Sequence, residues 1–253
     1  MDRSILKAAG ALAIAILVTG AAFGATYSAY YDCTPGRTTA IAITNASDFS
    51  SDAAYSLRVY DPDGHVLAET ADGLAGYESK VLFINDVIEE PDELSWGLLQ
   101  IESSVLLQMA VWIGELDHWV SVLNTTHSPF SIEGLGVAYQ WYSMNYASTG
   151  QRSTALTLIN PNDEPVSGAL YIYGATGATL DASGFTIEPK QVIYFLPEAN
   201  YDASTDLWGL IDVRATWNIL LIGEYFDEDT ALIDVDLIDV PYYLEYETEG
   251  ASE

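Results

Sequence analysis

The chain has 253 residues, of which 37 are acidic and 8 basic, giving a formal charge of -29 at pH 7, while 49% are hydrophobic and 12% aromatic. That much apolar and β-forming material excludes a disordered acidic tail. So few cations exclude a nucleic-acid binder, which needs a basic face for phosphate, and the lone Cys33 excludes a disulfide framework or a multi-thiolate metal site.

Residues 1–25 read as an export signal. Arg3 and Lys7 supply the positive start, Ala8–Val18 the apolar stretch, and Ala22 and Gly24 the small residues flanking a cut near Gly24 or Ala25. An uncleaved anchor over residues 4–25 is the alternative, since that length approaches the roughly 20 residues that span a bilayer. The expected address is secreted, extracellular or cell-surface, with the periplasm as a variant of the same route. Cleavage removes Asp2, Arg3 and Lys7, so 37 acidic and 8 basic residues become 36 and 6. Such a surface repels anionic lipid and nucleic acid; it reads as a solvated, salt-adapted exterior, with the capture of cations or of a basic partner as the alternative.

The remainder opens on an aromatic strand at Tyr27–Tyr31. Thr39–Thr44 is a β-rich run closed by the turn composition Asn45-Ala46-Ser47-Asp48. Ser56–Tyr60 alternates and meets Asp61-Pro62-Asp63-Gly64, a hairpin turn with proline preset for the first corner and glycine for the positive dihedral. Strands are predicted at Lys80–Ile84, Gly97–Ile101, Val105–Ile113 and Trp119–Leu123. The pattern breaks over Asn124–Leu135. It then resumes at Tyr142–Tyr146 and Thr154–Ile159, reverses at Gly174–Ala178, and continues at Gln191–Leu196, Gly209–Val213, Asn218–Phe226 and Ala231–Leu237.

The second run copies the first. Tyr27–Asn45 aligns with Tyr142–Asn160 without a gap, keeping Tyr27/Tyr142, Tyr31/Tyr146, Arg37/Arg152, Thr39/Thr154 and Asn45/Asn160, and Trp96-Gly97 returns as Trp208-Gly209. Short strands at this spacing, with no amphipathic helix after the signal, predict an all-β fold of two tandem Ig-like antiparallel β-sandwich domains. Their expected extents are 26–128 and 136–242, followed by an acidic tail over 243–253. Alternation places Tyr142, Met144 and Tyr146 on one core face, with Tyr27 and Tyr31 at the same places in the first copy.

The repeated frame joins a Thr-rich strand ending at Asn160-Pro161-Asn162-Asp163, the hairpin Tyr60–Gly64 and the Trp-Gly strands at Trp96 and Trp208. Over residues 27–240 it resembles the tandem β-sandwich modules of exported bacterial surface and extracellular proteins. The resemblance implies spacer, display or adhesive roles and carries over no catalytic residues. The second copy departs at its hairpin, where Gly174-Ala175-Thr176-Gly177 replaces Asp61-Pro62-Asp63-Gly64, so any role for Asp61 and Asp63 is not shared.

Residues kept in both copies belong to the module, whereas a site usually sits in one. Arg37 and Arg152 therefore read as an ion pair or carbonyl clamp, structural like Asn45, Asn160, Trp96 and Trp208, with a clamp on a ligand carboxylate as the alternative. Cys33 aligns with Ser148, a small turn residue rather than a nucleophile, which would need a nearby base. His65, His118 and His127 fall in no triad order, and no Gly-Xaa-Ser-Xaa-Gly elbow, zinc-protease helix or phosphate loop occurs. Carboxylate pairs at glycosidase spacing are too numerous to be informative. Asp227, Asp229, Asp234 and Asp236 form an oxygen-rich cluster that suits Ca²⁺; a solvated acidic edge that blocks strand pairing is the competing reading.

Tyr139, Trp141, Trp112 and Trp119 are the candidate exposed aromatics for a glycan or protein partner, and Asn45 and Asn124 fit the glycan-acceptor pattern. The expected protein is non-enzymatic and needs no cofactor: a structural or adhesive element at the cell surface. Its expected partners are other surface or extracellular proteins or glycans, with membrane tethering through residues 4–25 and homo-oligomers within reach. A carbohydrate-binding protein is the second reading and an acidic hydrolase the third.

Overall fold

A computed structural model describes residues 25–46, 52–115, 118–122, 126–127, 140–149, 152–197, 207–227 and 232–237. The signal segment, Tyr139, Asp229, residues 128–139 and the acidic tail lie outside them. In the first half, β1 (Ala25–Asp32), β2 (Arg37–Asn45), β3 (Ala53–Tyr60), β4 (Val66–Leu74), β5 (Ser79–Phe83), β6 (Trp96–Ser103), β7 (Leu107–Glu115) and β8 (His118–Val122) form two antiparallel sheets, ordered β4-β3-β6-β1 and β5-β2-β7-β8. The two-residue β9 (Thr126–His127) extends the first sheet beyond β1, and one helical turn, α1 (Ile84–Val87), follows β5. Both pieces are too short to leave a hydrophobic period in the sequence.

The second half comprises β10 (Gln140–Ser148), β11 (Arg152–Ile159), β12 (Val166–Gly174), β13 (Thr179–Ile187), β14 (Val192–Phe195), β15 (Leu207–Ala215), β16 (Leu220–Asp227) and β17 (Leu232–Leu237). Its sheets are ordered β13-β12-β15-β10 and β14-β11-β16-β17, which is the order of the first half strand for strand. The registers agree as well. Tyr27 stands opposite Ile101 and Tyr31 opposite Gly97, as Tyr142 stands opposite Val213 and Tyr146 opposite Gly209.

The alternating residues fill the space between paired sheets: Tyr27, Tyr31, Ile41 and Ile101 in one half, Tyr142, Met144, Leu156 and Val213 in the other. A buried phenol needs a hydrogen-bond partner, and both halves find it in the same place. The Leu107 N–H donates to the Tyr27 oxygen at 2.7 Å and the Ile219 N–H to the Tyr142 oxygen at 3.0 Å. The Trp-Gly pairs recur for a backbone reason. A Cβ at Gly209 would lie 1.9 Å from the Tyr173 carbonyl oxygen, and one at Gly97, where φ is +137°, 2.9 Å from that of Tyr60.

Asn45 and Asn160 are fully buried at equivalent strand ends. Asn160 Nδ2 donates to the carbonyls of Glu164 at 2.8 Å, Ile187 at 3.0 Å and Glu188 at 3.1 Å, while its Oδ1 accepts the Asn162 N–H; Asn45 Nδ2 donates to Leu74 O at 3.2 Å. Replacing Asn160 with Ala strands these groups and is expected to destabilise the chain by about 1–3 kcal/mol, read from urea unfolding. A variant as stable as its parent would strip the residue of this role.

The halves meet through unlike faces. The outward side of β1, β3 and β6 packs on the outward side of β11, β14 and β16, so Ile159, Leu220 and Ile222 join the core cluster of the first half. Leu98 projects outward from its own sandwich yet is 0% exposed, because the second half covers it. At this seam Gln100 Nε2 donates to Pro161 O at 2.9 Å, and the Trp96 ring meets Tyr194 edge to face with centroids 6.0 Å apart. The hairpin joins in as well, the Pro62 carbonyl accepting the Val192 N–H at 2.9 Å.

Candidate functional site

Two single-copy constellations stand out among the described residues, one largely buried at the seam and one open on the far side of the second half. The buried one centres on Arg37, at the start of β2. Its Nη1 lies 2.5 Å from Asp32 Oδ2 and 3.7 Å from Glu224 Oε1, its Nε lies 3.2 Å from Glu115 Oε1, and the guanidinium sits 5.8 Å from the Phe226 ring centroid. Glu224, on the outward face of β16, accepts the Tyr30 hydroxyl at 3.3 Å and the Thr157 hydroxyl at 3.1 Å. Glu115 Oε2 accepts the Leu232 N–H at 2.8 Å.

Three carboxylates thus face one cation. Burial, reinforced by the Asp32 charge and opposed by Arg37, pushes the Glu224 carboxyl up to about 7. Burial works against the charge on Arg37, but hydrogen bonds and attraction from Asp32 and Glu115 outweigh it and hold the guanidinium above its ordinary value. Burial, then the Glu224 and Asp32 charges, also raises Tyr30 well above the ordinary phenol range. Cys33 lies beside this cluster, at the end of β1. Burial pushes its thiol up to about 11, and Sγ donates to Asn85 Oδ1 at 3.2 Å, so the thiolate that nucleophilic chemistry needs is disfavoured.

The open constellation is a shallow groove of about 540 Å³ on the outward side of β10, β12 and β15, lined by Trp208, Leu210, Asp212, Arg214, Tyr173 and Ser143 among others. Tyr171 and Tyr173 stack with centroids 6.4 Å apart, and the Arg214 guanidinium lies 5.2 Å from the Tyr171 ring centroid. Asp212 is buried beneath them, accepting the Ser143 hydroxyl at 2.9 Å, with Arg214 Nε 3.5 Å away. Its repeat counterpart is Gln100, which lies under the second half and bonds Ser28 Oγ at 3.1 Å. A neutral amide suits the covered position, and a carboxylate with its own cation suits the open one. The groove can offer a flat aromatic and guanidinium surface with a fixed acceptor below.

The residues singled out from sequence are spread over the molecule. Arg37 is in the seam; Arg152 is exposed, its backbone bridged to Thr149. Trp96 is half-buried against Tyr194, whereas Trp208, in the same Trp-Gly context, is 61% exposed. Trp112 lies half-buried on the outward side of β7 in the first half, while Trp141 belongs to β10 in the second, so these two do not share a sheet. Trp119 lies on β8; its side chain, that of Trp141 and the whole of Tyr139 fall outside the described residues. For the calcium reading, Asp227 pairs with Arg152 in register, Asp234 with Tyr225 and Asp236 with Gly223. The side chains of Asp234 and Asp236 and all of Asp229 are outside the description, and among the described residues no group of three or more His, Cys, Asp or Glu is placed to hold a metal.

Glu224, Tyr171, Tyr173, Asp212 and Arg214 were not singled out from sequence. One signal was present for Glu224: a lone carboxyl on the same strand face as Leu220 and Ile222, at the position that Trp112 occupies in the first copy.

No protein-family model matches the chain, and no curated protein matches it. Among solved structures it is similar to the apo form of a Pleurotus ostreatus lectin at 12% identity, over 85% of this chain and 75% of that one, with a TM-score of 0.25. A putative β-galactosidase from Bacteroides fragilis matches at 10% identity over 86% and 32%, TM-score 0.19, and a Bacteroides uniformis β-glucuronidase at 9% over 86% and 26%, TM-score 0.17. Such scores establish neither a shared fold nor a shared activity. No helix among the described residues is long and apolar enough to cross a membrane.

Proposed function

We propose that the chain is an exported, non-catalytic structural or adhesive protein made of two tandem immunoglobulin-like sandwich modules of the exported bacterial type. The observation that carries this reading is the identical strand order of the halves together with the buried seam that joins them; a duplicated module locked to its copy serves as scaffold. Each half pairs its second strand with its fifth and its third with its sixth, as immunoglobulin domains do. The first strand lies beside the sixth and the seventh beside the second, which departs from the immunoglobulin order. The test is cell fractionation with mass spectrometry of the mature N-terminus. A chain outside the cytoplasm beginning near Ala25 is the expected result; an intact cytoplasmic chain defeats the reading.

Carbohydrate binding is the second reading, favoured by the open face with Trp208, Tyr173, Asp212 and Arg214. Sugar rings stack on such planes and hydrogen-bond to acceptors below. Binding on a glycan array that disappears in Trp208→Ala would support it, and an array without signal would remove it.

A further inference from the structure

The seam inside the chain is heterologous: a face of one kind on the first half meets a face of another kind on the second. Because the halves share one strand order, each face in the seam has a repeat counterpart elsewhere. The counterpart of the β1-β3-β6 face is the outward side of β10, β12 and β15. The counterpart of the β11-β14-β16 face is the outward side of β2, β5 and β7. Neither counterpart is covered by the described residues, and they lie on different halves.

Position by position, the open faces carry what the seam uses. Trp96 meets Tyr194 in the seam; the matching residues are Trp208, 61% exposed, and Val81, 56% exposed. Leu98 is sealed, while its counterpart Leu210 is 38% exposed. Phe83 and the half-buried Trp112 widen the apolar surface around Val81. In a chain with 37 acidic residues, the outward positions of β2, β5 and β7 carry no charged side chain. Those of β10, β12 and β15 carry Asp212 and Arg214, which neutralise each other at 3.5 Å. Charge has been kept off two surfaces of opposite kind, as an interface core requires. A glycan on the Trp208 face would account for one of these surfaces; a second copy accounts for both.

We propose that copies of this chain associate head to tail, the outward face of β10-β15-β12 in one copy seating on the outward face of β5-β2-β7 in the next, as β1-β3-β6 already seats on β11-β14-β16 within each chain. A heterologous contact of this kind does not close on itself in a pair, so the product is an open string or a ring. The proposal deepens the structural reading above, since self-association is what a scaffold would use. Each copy carries a charge of -29, and the contact is apolar, so association strengthens with added salt, the reverse of an ion-pair interface.

The experiment is sedimentation velocity on the purified full chain over a concentration series, at low and at high salt. It includes the variant Trp208→Asn, the double variant Val81→Asn with Phe83→Asn, and an equal mixture of the two. These residues are exposed and the substitutions leave the net charge alone; circular dichroism checks that each variant is folded. The parent is expected to grow past two copies with concentration, and more so in high salt. Each variant alone is expected to associate at least about tenfold more weakly. The mixture is expected to form pairs and nothing larger, because each variant keeps the face the other has lost.

A parent that stays single under every condition overturns the proposal. So does Trp208→Asn associating as well as the parent, which would mean like faces of the β5 side pair, or the double variant doing so, which would mean the β15 faces pair. A mixture that stays single overturns it too, and a single parent with Trp208-dependent glycan binding gives that face to carbohydrate. Location plays no part in the measurement: a cytoplasmic chain that associates defeats the export reading alone, and an exported chain that does not associate defeats this proposal alone.

Discussion

Replacing Arg37 with Met should destabilise the chain by about 3–5 kcal/mol at neutral pH, the range for removing one partner from a buried charge cluster. Asp32, Glu115 and Glu224 would remain around an apolar side chain, with Asp32 and Glu224 almost wholly buried and no cation to offset them. Acidification should recover part of the loss, since protonation discharges Glu224, whose carboxyl burial pushes up to about 7. Urea unfolding of parent and variant at pH 8 and pH 5 measures both effects. Arg152→Met is the control. Its residue occupies the same repeat position but is exposed, and Ala147 stands where Asp32 does in the first half, so a change within about 0.5 kcal/mol is expected. Equal losses at the two arginines would show that the cluster does not hold the seam.

Glu224→Gln should act in the opposite direction, and only above acidic pH. The folded chain holds the Glu224 proton up to about pH 7, against an ordinary carboxyl value of 4.5. The folded state therefore prefers the protonated form. The stability this group contributes is fully present below pH 4.5 and falls as pH rises through about 7. At roughly 1.4 kcal/mol per pH unit, the decline amounts to roughly 3 kcal/mol. A glutamine has no proton to lose, keeps an oxygen for the Tyr30 hydroxyl and turns an N–H toward Thr157. The variant should match its parent near pH 4 and exceed it by up to roughly 3 kcal/mol at pH 8. A gap that stays constant with pH would mean that Glu224 does not titrate in this window.

The strand frame was legible because its signals are local. Alternation with a period of two, the Asn turns and the Trp-Gly pairs each depend on a few neighbouring residues, and duplication doubled every signal. The core aromatics Tyr27, Tyr31, Tyr142 and Tyr146 followed directly from alternation. What sequence could not show is which finished faces cover each other. Trp96 and Trp208 are each followed by Gly-Leu in sequence, yet one lies against Tyr194 and the other faces solvent. Arg37 and Arg152 drew equal attention because identity between copies reports descent, whereas their surroundings depend on the partner half. The groove was missed for the same reason. Tyr171 and Tyr173 read as ordinary outward strand residues until the sheet places them beside Arg214 and Asp212, contributed by a strand about forty positions away.

The hairpin at Asp61–Gly64 lies so close to the second half that a Cβ on Gly64 would come within 2.8 Å of the Pro189 carbonyl oxygen. The Pro62–Val192 bond lies beside it and the Arg37 cluster elsewhere in the seam, so the joint is tied at more than one place. Tension applied across the molecule would be carried by this clamp rather than taken up by a swinging tether, so the protein should yield mechanically by shearing the clamp before either sandwich unravels.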